Sequence, residues 1–315
     1  MESMERLKQA FQINDTVELL RSIQISKNDV PLWSDIDELY GPDFPHILGM
    51  ERCNDYRNAT PRLQDRWVAP AGMFHTGTNL MAGTFANVCK GIPFAWQVPY
   101  GKHHPINAVL EDNYIIPNTK YQRLQNFSRI LPIVMVRNPL DWMKSQCKQS
   151  YGVKVSKNES KLEKKRRLPC PHLNTSINVP FYRHHQYQSI LHMWMEWYLQ
   201  YLEYEGPRLL VRLEDIVYHP EETLEKICEC AGGSFNFTRH RMEERKGGTK
   251  REEDGNYRFK SWKRHSRVNI ESHLGESPGN MGLFRNISST NGMQTLLNAF
   301  HYTILEHDKN DTAKL

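Results

Sequence analysis

Residues 67–79 read Trp67-Val68-Ala69-Pro70-Ala71-Gly72-Met73-Phe74-His75-Thr76-Gly77-Thr78-Asn79, and the order of residue types in this stretch decides the fold. The first eight residues form an apolar run of the length of a buried strand, and a helical pattern follows over 79–89. Between them lies a Gly/Thr turn. A strand that turns straight into a helix makes a cradle for an anion: successive backbone N–H groups point inward and the helix N-terminus adds positive potential. Gly77 lets the backbone come close, and Thr76, Thr78 and Asn79 add hydroxyl and amide groups. The pattern GxxxxGK[ST] is absent, so this is not a nucleoside triphosphatase loop. An ordinary helix start after a strand would share much of the pattern.

Working outward, Ile130-Leu131-Pro132-Ile133-Val134-Met135-Val136 is the clearest buried strand, with a helix expected over 140–151. A shorter apolar run at 93–98 is a further strand candidate. Residues 152–180, charged and Pro-containing, read as a surface loop. A long aromatic helix is expected at 182–204, a strand at 208–213 and a helix at 220–231. Strands alternating with helices indicate an α/β fold: three α/β/α layers, a central parallel sheet and a phosphate-binding strand-loop-helix. Ligands in such sheets sit at the carboxyl ends of the strands. Leu7, Phe11, Val17, Leu20 and Ile23 suit an amphipathic helix within 1–25, and 26–65 reads as irregular. The expected division is a lead-in over 1–60 and one domain over 61–315.

The chain has 315 residues, 39% apolar and 24% charged, which is an ordinary globular composition. No run of eighteen apolar residues occurs, so no membrane span is expected within it, and the charged start is not a signal segment. Neither repeats nor low-complexity tracts are present, which argues against collagenous, coiled-coil or wholly disordered chains. Lys and Arg number 41 against 36 Asp and Glu, and the excess is clustered. From Arg239 to Arg267 there are eleven basic and five acidic residues, and a second basic run spans 154–167. Clustered cations suit an anionic ligand or a solvated face. The six cysteines show no paired zinc-ligand spacing. Asn-x-Ser/Thr triplets begin at Asn14, Asn58, Asn126, Asn158, Asn174, Asn236, Asn286 and Asn310. Composition alone predicts roughly two. Eight point to a glycosylated, lumenal protein whose anchor lies upstream of this chain; a cytoplasmic setting is the alternative.

Two more motifs carry chemistry. In Val136-Arg137-Asn138-Pro139-Leu140-Asp141-Trp142-Met143-Lys144-Ser145, Arg137 ends the buried strand and Ser145 stands about two helical turns further on. A guanidinium fork and a hydroxyl converging there suit a second phosphate; an Arg–Asp pair at an ordinary helix start is the other reading. Arg245-Lys246-Gly247-Gly248 places two cations beside two glycines, as in a loop that folds over an anion.

Taken together, these motifs resemble the sulfotransferases that use 3′-phosphoadenosine 5′-phosphosulfate (PAPS). His75–Asn79 looks like the family's 5′-phosphosulfate loop. Arg137 with Ser145 looks like its 3′-phosphate motif, and Arg245-Lys246-Gly247 like the element that closes over that phosphate. Trp194-Met195-Glu196-Trp197 and Val211-Arg212-Leu213-Glu214-Asp215-Ile216 match as well, so the resemblance covers roughly residues 66–267. It departs at His75, where the family has Lys or Arg; either His75 is held protonated or Lys102 supplies the fixed charge. Lys102-His103-His104-Pro105 falls where the family carries its base. The resemblance implies His104 for that role, with His103 the alternative and Glu111 and Asp112 further acid candidates.

The implied reaction moves a sulfuryl group from PAPS to an acceptor hydroxyl or amine, with a carbohydrate or small-molecule acceptor, no metal and no nucleic acid. Cofactor binding would fall to His75, Thr76, Gly77, Thr78, Asn79, Arg137, Ser145, Arg245, Lys246 and Gly247. Catalysis would fall to His104 or His103 with Lys102 and His75. Trp142 or Tyr257 could stack on adenine. A Golgi lumenal setting follows from the triplets. The rival expectations are a small-molecule kinase with a phosphate loop and a non-catalytic polyanion-binding protein on the same fold.

Overall fold

The computed structural model describes residues 32–111, 127–149, 153–155, 175–179, 185–236 and 278–304. In chain order its elements begin with α1 (Trp33–Tyr40), β1 (Ile47–Leu48), α2 (Cys53–Ala59), β2 (Trp67–Gly72), α3 (Thr78–Val88) and β3 (Cys89–Lys90). Next come α4 (Asn107–Leu110), β4 (Ile130–Val136), α5 (Pro139–Lys148), β5 (Lys154–Val155), β6 (Ile177–Val179), β7 (His185–Tyr187) and α6 (Ile190–Glu203). The rest are β8 (Leu209–Arg212), α7 (Leu213–Tyr218), α8 (Pro220–Ala231), β9 (Ser234–Phe235), α9 (Pro278–Ser288) and α10 (Asn291–Ala299). The described residues fall into two units. One draws on 1–38, 42–136 and 201–267, the other on 39–41, 137–200 and 268–315.

The first unit is mixed α/β around a mostly parallel sheet of order β1-β8-β4-β2. β4 is parallel to both β2 and β8, and β1 closes the far edge antiparallel to β8. All seven residues of β4 are buried, which is why it reads as one unbroken apolar run instead of an alternating one. β2 is set against it with Trp67 opposite Ile130 and Gly72 opposite Met135, so the carboxyl ends of the two strands lie side by side.

The run at 93–98 makes only an isolated bridge, Val68 to Phe94. The reason lies in β2. Val68 donates to the Pro93 carbonyl at 3.1 Å and accepts from the Ala95 amide at 2.9 Å. Pro70, the next residue facing that side, has no N–H with which to continue the ladder. Gly72, two residues further, donates instead to the Lys102 carbonyl at 2.7 Å. The chain therefore leaves the sheet after residue 95 and returns to it at 102.

The segment 26–65 is more regular than its composition suggested, since it supplies α1, β1 and α2. Tyr56 of α2 donates its buried hydroxyl to the Trp67 carbonyl at 3.0 Å and also contacts the Arg129 carbonyl at 3.3 Å, which sets α2 at the amino ends of β2 and β4. Disulfides Cys53–Cys230 and Cys89–Cys228 tie α2 and β3 to the end of α8. Pro220 starts α8 with Glu221 and Glu222 in the first turn, both favourable at a helix N-terminus. It stops in a Schellman turn, where Gly232 N–H donates to the Glu229 carbonyl and Gly233 N–H to the Cys228 carbonyl. Arg57 donates to the Glu229 and Cys230 carbonyls, and Arg66 to that of Ala231. The last turn of the helix thus has its orphan acceptors filled.

The second unit packs aromatic side chains around α6: Trp194 and Tyr198 meet Phe300, which in turn meets Tyr302. It also holds a small antiparallel sheet, β5-β6-β7: β5 and β6 lie in the span expected to be loop, and β7 takes the place of the first turn of the helix expected at 182–204, which starts at Ile190. Cys147 is disulfide-bonded too, its partner lying outside the described residues. The helix expected over 1–25 lies outside them as well. Among the described residues no helix is long and apolar enough to cross a membrane.

Candidate active site

At the carboxyl end of β2 the backbone reverses through two left-handed residues, His75 at φ 67° and Gly77 at φ 86°. The first is unusual for a side chain with a Cβ and costs about 1 kcal/mol or more. The second favours glycine because a side chain is strained at this φ, and a Cβ on Gly77 would also press on Leu213 Cδ1, 2.6 Å away. α3 starts directly after Gly77, with no side chain capping its first turn and no acidic residue in it. Thr76 is buried and donates its hydroxyl back to the Met73 carbonyl at 2.7 Å, so that hydroxyl holds the loop together. Thr78 is buried and Asn79 exposed.

Residues 102–104 are brought onto this loop. Gly72 gives its N–H to the Lys102 carbonyl, and its own carbonyl lies 2.8 Å from His103 Nδ1. A carbonyl only accepts, so Nδ1 carries the proton and Nε2 holds the lone pair. The imidazole stacks on Phe74, ring centres 3.8 Å apart. Burial pushes its pKa down to about 3, opposed by the Gly72 bond and reinforced by Lys102, His104 and His75, each cationic when protonated. His103 is therefore a neutral donor fixed in one tautomer.

Lys102 is half-buried and donates its ammonium to Asn79 Oδ1 at 2.6 Å, in the first turn of α3. Desolvation holds its pKa below the ordinary lysine range. Two positive ends meet there: a cation and the N-terminus of an eleven-residue helix. His104 is buried, its amide donating to the Gly101 carbonyl. Its carbonyl accepts from Tyr201 Oη at 3.3 Å, and Tyr201 is hydrogen-bonded to Tyr100 at 2.8 Å. Burial raises the Tyr100 phenol well above its usual range, so Tyr100 stays neutral. Glu111 is exposed.

In the second unit Arg137 is buried and faces Asp141 one helical turn on, with Nε 2.6 Å from Oδ2 and a terminal guanidinium nitrogen on the same oxygen. Its carbonyl accepts from the Trp194 indole at 3.1 Å. Asn138 caps α5 by accepting from the Leu140 amide at 3.0 Å, with Pro139 in the first turn. Ser145 lies on α5, half-buried. Trp142 is fully buried, so no adenine face can reach its ring; the stacking expectation is corrected there by core packing. Arg245, Lys246, Gly247, Asp112 and Tyr257 lie outside the described residues.

The structure thus joins His75–Asn79 with Lys102–His104, and places Arg137 just before α5 and Ser145 in the second half of that helix. Sequence reasoning missed two members of these arrangements: Gly72, which holds the 102–103 segment, and Phe74, which the His103 ring stacks on. The Arg–Asp pair read from the i,i+4 spacing of Arg137 and Asp141 is present, and it is buried and not on the surface. Among the described residues no group of His, Cys, Asp and Glu is placed to hold a metal ion. Compared with family models, with curated proteins and with solved structures, the chain matches none.

Proposed function

We propose that the chain is a sulfotransferase with a three-layer, P-loop-like domain, moving a sulfuryl group from PAPS to a hydroxyl or amine, on a carbohydrate acceptor in the Golgi lumen. One observation carries this reading: the Lys102 ammonium, partly stripped of water, is held at the uncapped N-terminus of α3. Among the described residues Lys102 has no carboxylate partner. Two like-signed ends side by side are unfavourable until an anion lies between them. Lys102 also answers the departure at His75, since a fixed cation reaches the loop from the neighbouring segment.

In the proposed reaction the acceptor oxygen or nitrogen attacks sulfur. The bond from sulfur to the bridging oxygen breaks, and adenosine 3′,5′-bisphosphate leaves. Lys102 and the first amides of α3 stabilise the charge that grows on the departing 5′-phosphate. His104 takes the acceptor's proton. His103 is less suited to that task, because its low pKa makes Nε2 a weak proton acceptor. Arg137 and Ser145 hold the 3′-phosphate, for which Asp141 is the resident counter-ion of the guanidinium. The disulfides support an oxidising compartment.

The test is calorimetric titration of the full chain with adenosine 3′,5′-bisphosphate, beside transfer from radiolabelled PAPS to a panel of sugars, sulfated glycans, phenols and peptides. Micromolar or tighter binding, weakened at least tenfold by Lys102→Met, is expected. No binding and no transfer would overturn the reading. A second reading, a non-catalytic polyanion-binding protein, is favoured by the Arg137–Asp141 pair, which already satisfies the guanidinium. Salt-sensitive glycan binding without nucleotide binding would select it.

A further inference from the structure

The eight Asn-x-Ser/Thr triplets are left unused by the chemistry above. Two of them lie wholly within the described residues, Asn58-Ala59-Thr60 and Asn286-Ile287-Ser288. In both the asparagine is exposed and sits in the last turn of a helix, α2 and α9 respectively. In the first the threonine is buried, and its carbonyl accepts from Arg66 Nε at 2.7 Å, so the triplet is anchored while the asparagine amide stays in solvent.

The place of Asn58 in the first unit is informative. α2 is fixed at the amino ends of β2 and β4 by Tyr56, at Trp67 and Arg129. The anion loop leaves the other end of β2, after Gly72. Six strand residues separate these ends, roughly 17 Å along the strand. A bulky group on Asn58 would therefore stand at the pole opposite Lys102 and α3's first turn. Cys53, one and a half turns before Asn58, is disulfide-bonded to Cys230. A disulfide at this pole suits an oxidising compartment, the kind of setting in which asparagine-linked oligosaccharides are added.

We propose that Asn58 and Asn286 each carry an N-linked oligosaccharide, and that the one on Asn58 marks the face of the first unit turned away from the candidate site. In the step that installs it, the asparagine amide nitrogen forms a bond to C1 of the first sugar of a lipid pyrophosphate-linked oligosaccharide. The bond from C1 to the phosphate oxygen breaks, the lipid pyrophosphate leaves, and the amide nitrogen gives up one proton. No oxidant or reductant is required. The inference is independent of sulfuryl transfer.

The experiment secretes the full chain from a eukaryotic cell line behind a cleavable leader, then maps its peptides by mass spectrometry. One half of the sample is first treated, in heavy-oxygen water, with an amidase that releases N-glycans and leaves aspartate. Both asparagines should appear as glycopeptides before treatment and as isotope-labelled aspartate after it. Asn58→Gln and Asn286→Gln should each remove one glycan step in gel mobility. If a variant is not secreted, the wild-type peptide map decides alone. A bare asparagine at either position in secreted, disulfide-bonded protein overturns the assignment there. Loss of adenosine 3′,5′-bisphosphate binding on adding the Asn58 glycan, in protein that binds it without the glycan, would overturn the opposite-pole placement.

Discussion

Adding a single methyl group at Gly72 should disrupt the carboxyl end of β2. The residue has φ 149°, and a Cβ there would lie 2.7 Å from Thr76 Oγ1, 2.9 Å from the Met135 carbonyl oxygen and 3.0 Å from Thr78 Cγ2. The Met135 oxygen belongs to the paired strand β4, so it yields only if the two strands part. Thr76 yields only by giving up its 2.7 Å bond to Met73, worth about 1 kcal/mol. Overpacking costs about 1–3 kcal/mol, and a side chain at this φ adds about 1–3 kcal/mol. Stiffening of the unfolded chain returns about 0.4–1 kcal/mol. Gly72→Ala should therefore cost about 1–6 kcal/mol, read as a lower urea midpoint at unchanged slope. Gly282→Ala is the control: it lies in α9 with nothing within 4 Å of a Cβ, and should gain up to about 1 kcal/mol. A Gly72→Ala protein within about 0.5 kcal/mol of wild type would refute the packing argument, since surface changes commonly have effects of that size.

Acid should weaken the protein through His103. Its folded pKa, about 3, lies below the unfolded value of about 6.5. Between those values the unfolded chain binds a proton that the folded chain does not. Stability should therefore fall as pH drops from about 6.5 towards 3, by up to about 1.4 kcal/mol per unit. His103→Asn keeps a donor for Gly72 and should remove this slope; equal urea midpoint shifts between pH 7 and 5 in both proteins would contradict it. Asp141→Asn takes away the carboxylate facing buried Arg137 and should cost about 3–5 kcal/mol; an unchanged melting temperature would refute that. Under the proposed function, adenosine 3′,5′-bisphosphate should recover part of the loss. Replacing Cys89 and Cys228 together by Ser opens a link spanning 139 residues, which by loop entropy should cost about 5 kcal/mol; a loss below about 1 kcal/mol, under the range seen for native disulfides, would rule out that account.

β4 was legible because a strand covered on both faces is apolar at every position. The same held for β2, whose end is marked by the turn to α3. The strand expected at 93–98 shrank to one bridge for a reason that lies on the adjoining strand: Pro70 of β2 cannot donate. A window of sequence read by itself does not include its partner strand. At the candidate site, the left-handed turn and the 102–104 segment could be named in advance, but not their connection through Gly72. That connection depends on the chain returning after thirty residues, and nothing local encodes the return. The pairing of the cysteines was hidden in the same way. The Arg137–Asp141 pair was legible from its i,i+4 spacing as the other reading of that motif, but its burial was not, because burial depends on residues distant in sequence.

Cys228 and Cys230 are two residues apart, yet they bond to Cys89 and Cys53, which lie 139 and 177 residues earlier. On a ribosome adding about 5–20 residues per second, Cys89 waits roughly 7–28 s for Cys228 to be made. During that interval the early pair can oxidise only with each other or with another wrong partner. Any wrong pair formed in that interval has to be undone by thiol exchange after α8 emerges, so the yield of correctly bonded chain should fall in an oxidising host poor in disulfide isomerase.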